Sequence, residues 1–248
     1  MHTTQALKVA ARTERLPGVE HARIAELLAP FLHPPPGPPV SLTEAQLGQV
    51  SAYLDLLLRW NARINLTAVR DPESMVTRHF GESFFAARVL LKEQGAELAP
   101  SLSRGGRKQE AAVRAIDLGS GAGFPGLPLK IFAPALALTL IESSQKKAAF
   151  LKEVVRTLTL TGVDVFAGRA EDFPATADLV TLRAVERYER ALGMAARLVA
   201  SGGRLALLIG SAQAARTPKL LPAFEWAEPI AIPQAAARVL LVGTNQPG

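Results

Sequence analysis

The chain contains no cysteine and only four histidines among its 248 residues. The missing cysteine excludes disulfides, thiolate metal sites and a cysteine nucleophile. The histidines are scattered and lack metal-ligand spacing; they are His2, His21, His33 and His79. We therefore expect no bound metal.

Long apolar runs are also missing. No stretch approaches the roughly 20 consecutive apolar residues of a membrane span, and the first residues lack the apolar core of a secretory signal. We expect a cytoplasmic protein that does not associate with membranes. The 48% hydrophobic content suffices for one medium α/β domain with an accessory segment.

Acidic residues are outnumbered, which leaves a formal net charge of +6. Arginine makes up 20 of the 28 basic residues, and guanidinium groups bind phosphates and stack on bases. A positive net charge favours a polyanionic partner such as RNA. The alternative is an ordinary solvated surface, and charge alone does not separate the two.

Composition divides the chain into four regions, residues 1–40, 41–94, 95–112 and 113–248. The first holds one short helical pattern and the run "PPPGPP", which predicts a poorly packed extension with a stiff linker. The second predicts a helical N-terminal cap. It opens with two alternative capping-box spacings, Ser41 with Glu44 and Thr43 with Gln46. The third is predicted to be a flexible loop.

The fourth region alternates β-type runs with helical patterns, which predicts a doubly wound α/β fold with a Rossmann-like, mostly parallel sheet of seven strands. The last two strands lack an intervening helix and are expected to pair antiparallel at one edge. The predicted strands are residues 113–118, 137–142, 163–167, 178–183, 203–209, 224–232 and 238–243. The predicted helices are residues 126–132, 145–160, 186–199 and 211–221.

A glycine-rich loop, "DLGSGAGFPG", follows the first predicted strand. Glycines at Gly119, Gly121 and Gly123 let the backbone turn sharply and approach a ligand closely, although a plain strand-to-helix turn is the simpler alternative. The G-x-G-x-x-G spacing would suit a dinucleotide. Asp117 with these three glycines instead resembles the loop of S-adenosylmethionine-dependent methyltransferases. We therefore predict that Asp117, Gly119, Gly121 and Gly123 bind the cofactor.

Two downstream strand ends bear on the choice of cofactor. Glu142 ends the second strand, where a carboxylate accepts hydrogen bonds from ribose hydroxyls of either cofactor. Ala170 and Glu171 follow the third strand, where methyltransferases place groups that meet adenine, and this favours S-adenosylmethionine.

Arg183 ends the fourth strand and is the candidate catalytic residue, which orients substrate or cofactor. Its alternative role is an ion pair with Glu171 or Asp117.

The methyl acceptor is inferred by elimination. Without cysteine, the covalent route to a pyrimidine carbon is closed. The "[DN]-P-P-[YF]" segment typical of exocyclic-amine methylation is absent, and "TLRAVE" stands in its place. A ring nitrogen with a free lone pair, such as N7 of guanine, needs neither accessory nor a general base.

Further motifs are "WNARINLTAVRDPE" at 60–73, "RHFGES" at 78–83, "ESSQKKAAFLKEV" at 142–154, "GRAED" at 168–172 and "LRAV" at 182–185. With the glycine loop, they make residues 41–243 resemble the bacterial small-subunit ribosomal RNA guanine-7 methyltransferases, also called glucose-inhibited division protein B. The resemblance implies a class I methyltransferase fold and S-adenosylmethionine as cofactor. It also implies methylation of 16S ribosomal RNA, free or in an assembly particle, by a monomer.

The resemblance also assigns site residues. Those implied to contact S-adenosylmethionine are Gly119, Phe124, Glu142, Ser143, Ser144, Ala170, Glu171 and Arg183. Those implied to form an RNA-binding face are Arg59, Asn61, Arg63, Asn65, Arg70, Arg78 and His79. Two positions depart from the family pattern: Ile209 stands where relatives often carry lysine, and Glu82 stands where they carry aspartate. Arg238 corresponds to a basic residue that is often present before the last strand.

Two other functions stay open at this point. One is a nicotinamide-dependent oxidoreductase on the same fold. The other is an RNA-binding protein whose cofactor pocket has decayed. The intact glycines and Glu142 disfavour the second.

Overall fold

A computed structural model describes residues 19–33, 39–91, 112–183 and 187–246. Most of the predicted extension, nearly all of the predicted loop 95–112 and part of "LRAV" lie outside these residues. The division into four regions therefore stays a prediction.

The N-terminal part of the described chain is helical. Helix α2 begins after Thr43, whose hydroxyl accepts from the backbone N–H of Gln46 while the Gln46 side chain accepts from the Thr43 N–H. Of the two predicted capping boxes, the structure thus uses the second. The helices are α1 (His21–Leu32), α2 (Glu44–Asn61), α3 (Pro72–Met75), a π-helical turn (Val76–Gly81) and α4 (Glu82–Leu91).

Helix α1 corrects the expectation of a poorly packed extension. Ile24, Leu28 and Phe31 recur at helical spacing and are at most 1% exposed. The Phe31 ring packs so tightly on the π-helical turn that a Cβ on Gly81 would lie 2.6 Å from it. The expectation is wrong for residues 21–32, because this apolar stripe completes the core of the cap.

The remaining elements alternate strands and helices. They are β1 (Arg114–Leu118), α5 (Gly126–Phe132), β2 (Ala137–Ile141), α6 (Gln145–Thr157), β3 (Val163–Phe166), a 3-10 turn (Ala170–Asp172), β4 (Ala177–Arg183), α7 (Tyr188–Arg197), β5 (Val199–Gly210), α8 (Ser211–Leu220), β6 (Phe224–Trp226), β7 (Ile230–Ala231) and β8 (Arg238–Asn245).

The sheet has the order β3-β2-β1-β4-β5-β8-β6, and β7 also pairs with β8. Strands β1 to β5 are parallel, and β8 runs antiparallel between β5 and β6. The doubly wound fold and the antiparallel edge are confirmed. The strand predicted over 224–232 is two short strands, so the sheet has eight strands among the described residues instead of the predicted seven. Pro229 separates them because it has no N–H to donate to a sheet.

Alternate residues of the central strands enter two cores on opposite faces of the sheet. Leu179, Ala206 and Leu208 face the core that contains α1 to α6. Val180 and Leu207 face the core that contains α7 and α8. The N-terminal helices therefore form one layer with α5 and α6 and approach the carboxyl ends of β1 and β4.

No helix within the described ranges combines the length and the apolar character needed to cross a membrane.

Candidate active site

The glycine loop after β1 turns through left-handed backbone. Gly119, Gly121 and Gly123 have φ values of 68°, 57° and 89°, which residues with a Cβ rarely adopt. The N–H groups of Gly119 and Ser120 donate to the Ile141 carbonyl over 2.9 and 3.1 Å. The loop is thereby fixed to the end of β2, with Gly119 exposed.

Glu142 connects the loops that follow β1 and β2. One carboxylate oxygen accepts from the Gly121 N–H at 2.8 Å and the other from the Ser144 N–H at 2.7 Å. The side chain is only 7% exposed. Each oxygen keeps a second lone pair, so these contacts leave Glu142 able to accept a further hydrogen bond.

A cleft of about 280 Å³ opens at the carboxyl ends of β1, β2 and β3. Four predicted cofactor residues line it: Gly119, Ser143, Ala170 and Glu171. Open parallel sheets bind ligands at this edge. The cleft thus brings together residues from three predicted strand ends.

Two arginines in the cleft wall were missed by the sequence analysis. Arg169 precedes the 3-10 turn, and Arg190 comes from α7 and donates to Glu171 at 2.9 Å. Arg169 is part of "GRAED", so the motif could have indicated it. Arg190 lies on another element, and no sequence motif around it indicates a site residue.

Asp117 lies beneath the glycine loop and does not line the cleft. Its side chain is 1% exposed and accepts from the Thr181 hydroxyl at 2.7 Å. Burial raises the pKa of Asp117 to about 6, and its hydrogen bonds oppose this shift only partly. A direct contact with a cofactor, as predicted, does not fit this burial, and the carboxyl instead supports the loop.

Phe124 belongs to an aromatic stack beside the loop. Its ring lies 5.3 Å from that of Tyr53 on α2 and 5.0 Å from the His79 imidazole. The Tyr53 hydroxyl also donates a hydrogen bond to the Ala122 carbonyl. The cap and the glycine loop are therefore packed directly against each other.

Arg183 ends β4 and is nearly buried, with its side chain 9% exposed. Its Nη2 donates to a Glu82 carboxylate oxygen at 3.0 Å and to the Arg78 carbonyl at 2.6 Å. The alternative partners considered for it, Glu171 and Asp117, are wrong. Glu171 instead pairs with Arg190, and one oxygen of Asp117 accepts from Thr181 beneath the loop.

His79 is held between Arg183 and the segment after α2. Arg183 can only donate, so Nδ1 of His79 accepts at 3.3 Å, and Nε2–H donates to the Thr67 hydroxyl at 2.7 Å. Burial and the nearby guanidinium groups lower the pKa of His79 to about 3. The imidazole is neutral at pH 7 and offers no positive charge to a phosphate.

The predicted RNA-binding face is exposed at five positions: Arg59, Arg63, Asn65, Arg70 and Arg78. Arg70 donates to Asn65 and to the Asn61 carbonyl, which stiffens this face. Asn61 is a correction: it is 5% exposed, and its side-chain oxygen accepts from the N–H groups of Leu66 and Thr67. Asn61 therefore fixes the backbone turn after α2 through these hydrogen bonds and does not face RNA.

The described residues contain no group of three His, Asp or Glu side chains suited to a metal ion. The hydrogen-bonding groups present do fit an adenosine-type cofactor. The loop exposes backbone at glycines, Glu142 can accept from hydroxyls, and the cleft beyond β3 is lined by Ala170 and Gly168.

Comparison with known proteins agrees with this geometry. A family model described as rRNA small subunit methyltransferase G matches residues 46–223. "Ribosomal RNA small subunit methyltransferase G" of Chloroflexus aggregans is 40% identical over 172 residues, 67% of this chain and 65% of the relative. Its namesake in Xylella fastidiosa is 37% identical over 195 residues, 77% of this chain and 82% of the relative.

Among solved structures, the fibrillarin pre-rRNA processing protein of Methanococcus jannaschii gives a TM-score of 0.47 at 15% identity. That match covers 56% of this chain and 68% of the other. The family model spans well over half of the chain, from α2 to the end of α8. The chain therefore belongs to the rRNA small subunit methyltransferase G family.

Proposed function

We propose that the protein transfers a methyl group from S-adenosylmethionine to N7 of a guanine in 16S ribosomal RNA. The observation that carries the proposal is that the cleft and Arg183 lie at the same edge of the sheet. Leu118 of the cleft wall pairs with Leu182, next to Arg183, and Arg183 donates to the Arg78 carbonyl of the cap. A cofactor in the cleft and an RNA on the cap would meet at the end of β4. S-adenosylmethionine would supply an electrophilic methyl group there.

The residues proposed to hold the cofactor come from three strand ends. Gly119 would let the backbone approach it, and Glu142 would accept from its ribose with Ser143 and Ser144 beside it. Ala170 and Glu171 would flank the base. The ion pair between Glu171 and Arg190 keeps that carboxylate at the cleft wall.

The acceptor atom follows from the state of the titratable groups near Arg183. Among the described residues, the histidine and the carboxylates that interact with Arg183 are His79, Glu82 and Asp117. Both nitrogens of His79 and both oxygens of Glu82 have partners, and Asp117 is buried. A nucleophile with a free lone pair needs no general base, and N7 of guanine is such an atom.

The exposed arginines of the cap would hold the RNA backbone. Arg59 lies in the last turn of α2, Arg63 and Arg70 follow the helix, and Arg78 lies on the π-helical turn next to Arg183. We propose that a metal-free monomer acts in the cytoplasm on 16S RNA or on a small-subunit assembly particle.

Calorimetry with S-adenosylhomocysteine tests the pocket. Gly119→Asp puts a side chain on left-handed backbone at the cleft, and Glu171→Ala removes a wall carboxylate. We expect each to weaken binding by about tenfold or more. The matched control is Glu189→Ala, which removes an exposed carboxylate paired with Arg216 outside the cleft. Unchanged affinity in both cleft variants would refute the pocket.

Transfer of labelled methyl groups tests the activity. We expect wild-type protein to modify 16S RNA or small subunits from cells that lack this gene, and mass spectrometry to find one new 7-methylguanosine. Binding of a reduced nicotinamide without S-adenosylhomocysteine binding would instead support the oxidoreductase. RNA binding with no transfer would support the decayed enzyme.

A further inference from the structure

Glu82 is a buried carboxylate that joins three elements at the substrate edge of the sheet. It is the first residue of α4 and is 2% exposed. One oxygen pairs with Arg183 at the end of β4, and the other pairs with Arg238 at the start of β8. Arg238 lies opposite Gly210, so it too lies at the carboxyl ends of the parallel strands.

A buried ion pair of this kind contributes little to stability. Removing charges from water costs about as much as their attraction returns, so the gain is in fixed geometry. The cost is visible at Glu82, where burial raises the pKa although Arg183, Arg238 and Arg78 act in the opposite direction. Stability alone therefore does not explain why Glu82 is buried between Arg183 and Arg238.

The two guanidinium groups are each held at one nitrogen. All three hydrogen bonds described for Arg183 leave from Nη2, and Arg238 also uses Nη2 toward Glu82. A guanidinium carries five N–H donors. Nε and Nη1 of both arginines are not used by these contacts, and the Arg238 side chain is 29% exposed.

We infer that Glu82 is a positioning residue for the RNA acceptor: it holds Arg183 and Arg238 so that their remaining donors face an oxygen of the target nucleotide. Without this carboxylate, the two cations and Arg78 would repel one another. The inference rests on the proposed function, since it names how the same site receives its RNA.

The test compares Glu82→Gln with Glu82→Asp in the full chain. Glutamine offers one acceptor oxygen and one donor nitrogen, so only one arginine keeps its tether. Aspartate keeps both oxygens on a shorter arm. The matched control is Glu73→Gln, which removes a half-exposed carboxylate that pairs with Arg23 between α1 and α3.

Four quantities are measured for each variant: kcat, KM for 16S RNA or small subunits, RNA affinity by filter binding, and S-adenosylhomocysteine affinity. For Glu82→Gln we expect kcat/KM to fall about tenfold or more, with S-adenosylhomocysteine affinity within about twofold of wild type. Glu82→Asp should recover most of the loss. Glu73→Gln should change neither.

Two results would overturn the inference. One is a kcat and KM of Glu82→Gln within about twofold of wild type. The other is a parallel loss of cofactor binding and melting temperature in both Glu82 variants, which indicates a merely structural role. If wild-type protein transfers no methyl group, the proposed function fails by itself. RNA affinity then decides: weaker binding by Glu82→Gln supports the inference, and equal binding overturns it.

Discussion

At the scale of single residues, His79 is the side chain whose chemistry depends most on its surroundings. Its ring stacks on Phe124 and is held at both nitrogens by Thr67 and Arg183. Burial, followed by the charges of Arg183, Arg78 and Arg238, lowers its pKa from 6.5 to about 3. The folded protein therefore disfavours the proton that the unfolded chain accepts readily.

This shift predicts acid sensitivity. Because the folded pKa is depressed, the stabilisation is fully present above pH 6.5 and is lost as the pH falls from 6.5 toward 3. We expect wild-type protein to lose on the order of 2 kcal/mol of unfolding free energy, relative to His79→Gln, between pH 7 and pH 4.5. Urea unfolding at a series of pH values measures it.

Glutamine is a suitable comparison because it can accept from Arg183 and donate to Thr67 without titrating. Parallel pH profiles of the two proteins would contradict the assignment.

At the scale of elements, helix α2 holds the glycine loop in place. Tyr53 reaches from the middle of α2, donates to the Ala122 carbonyl and stacks its ring on Phe124. A loop of glycines has high conformational entropy when free. We therefore expect the cap to influence cofactor binding although it does not line the cleft.

Tyr53→Phe isolates this contact because it keeps the ring and removes the hydroxyl. The buried Ala122 carbonyl loses its partner, so we expect a loss of about 1–3 kcal/mol in unfolding free energy. A looser loop should also weaken S-adenosylhomocysteine binding by about threefold.

The other tyrosine of the chain is the control. Tyr188 shares a hydrogen bond of 2.5 Å with Thr217, on the α7 and α8 side of the sheet. Tyr188→Phe should lower stability comparably and leave cofactor affinity unchanged. Equal loss of affinity in both variants would mean that the effect is general destabilisation.

At the scale of the whole molecule, positive charge is spread over both layers, and the exposed Arg78, whose carbonyl accepts from Arg183, belongs to the cap. Arg59 lies in the last turn of α2, Arg63 follows in the turn after Asn61, and both side chains are exposed. Phosphate contacts release counterions, which makes RNA affinity depend on salt.

The double variant Arg59→Gln, Arg63→Gln should bind 16S RNA more weakly and with a smaller salt dependence. We expect the slope of log K against log salt to decrease by about 1.5 for two lost contacts. Filter binding at several salt concentrations measures it. Arg197→Gln with Lys219→Gln, on α7 and α8, removes the same charge from the other layer and should leave the slope unchanged.

The sequence by itself determined the order of most elements and the edge of the sheet where the cleft lies. Apolar periodicity, capping residues and clustered glycines are local signals, so they identified α2, the strands β1 to β5 and the bend at Gly119. The carboxyl ends of parallel strands meet at one edge by geometry. For that reason the sequence alone could assign Gly119, Ser143 and Glu171 to one site, and the structure places all three in the cleft wall.

Only the tertiary structure decided which side chains neutralise, bury or expose one another. Glu82 meets Arg183 and Arg238 across 101 and 156 positions of the chain, and Arg190 meets Glu171 from another element. Burial of Asn61 and packing of Phe31 on the π-helical turn depend in the same way on segments brought together by folding. Local patterns carry no information on such contacts, because their energies depend on groups that are distant in the sequence and are brought together and removed from water only by folding.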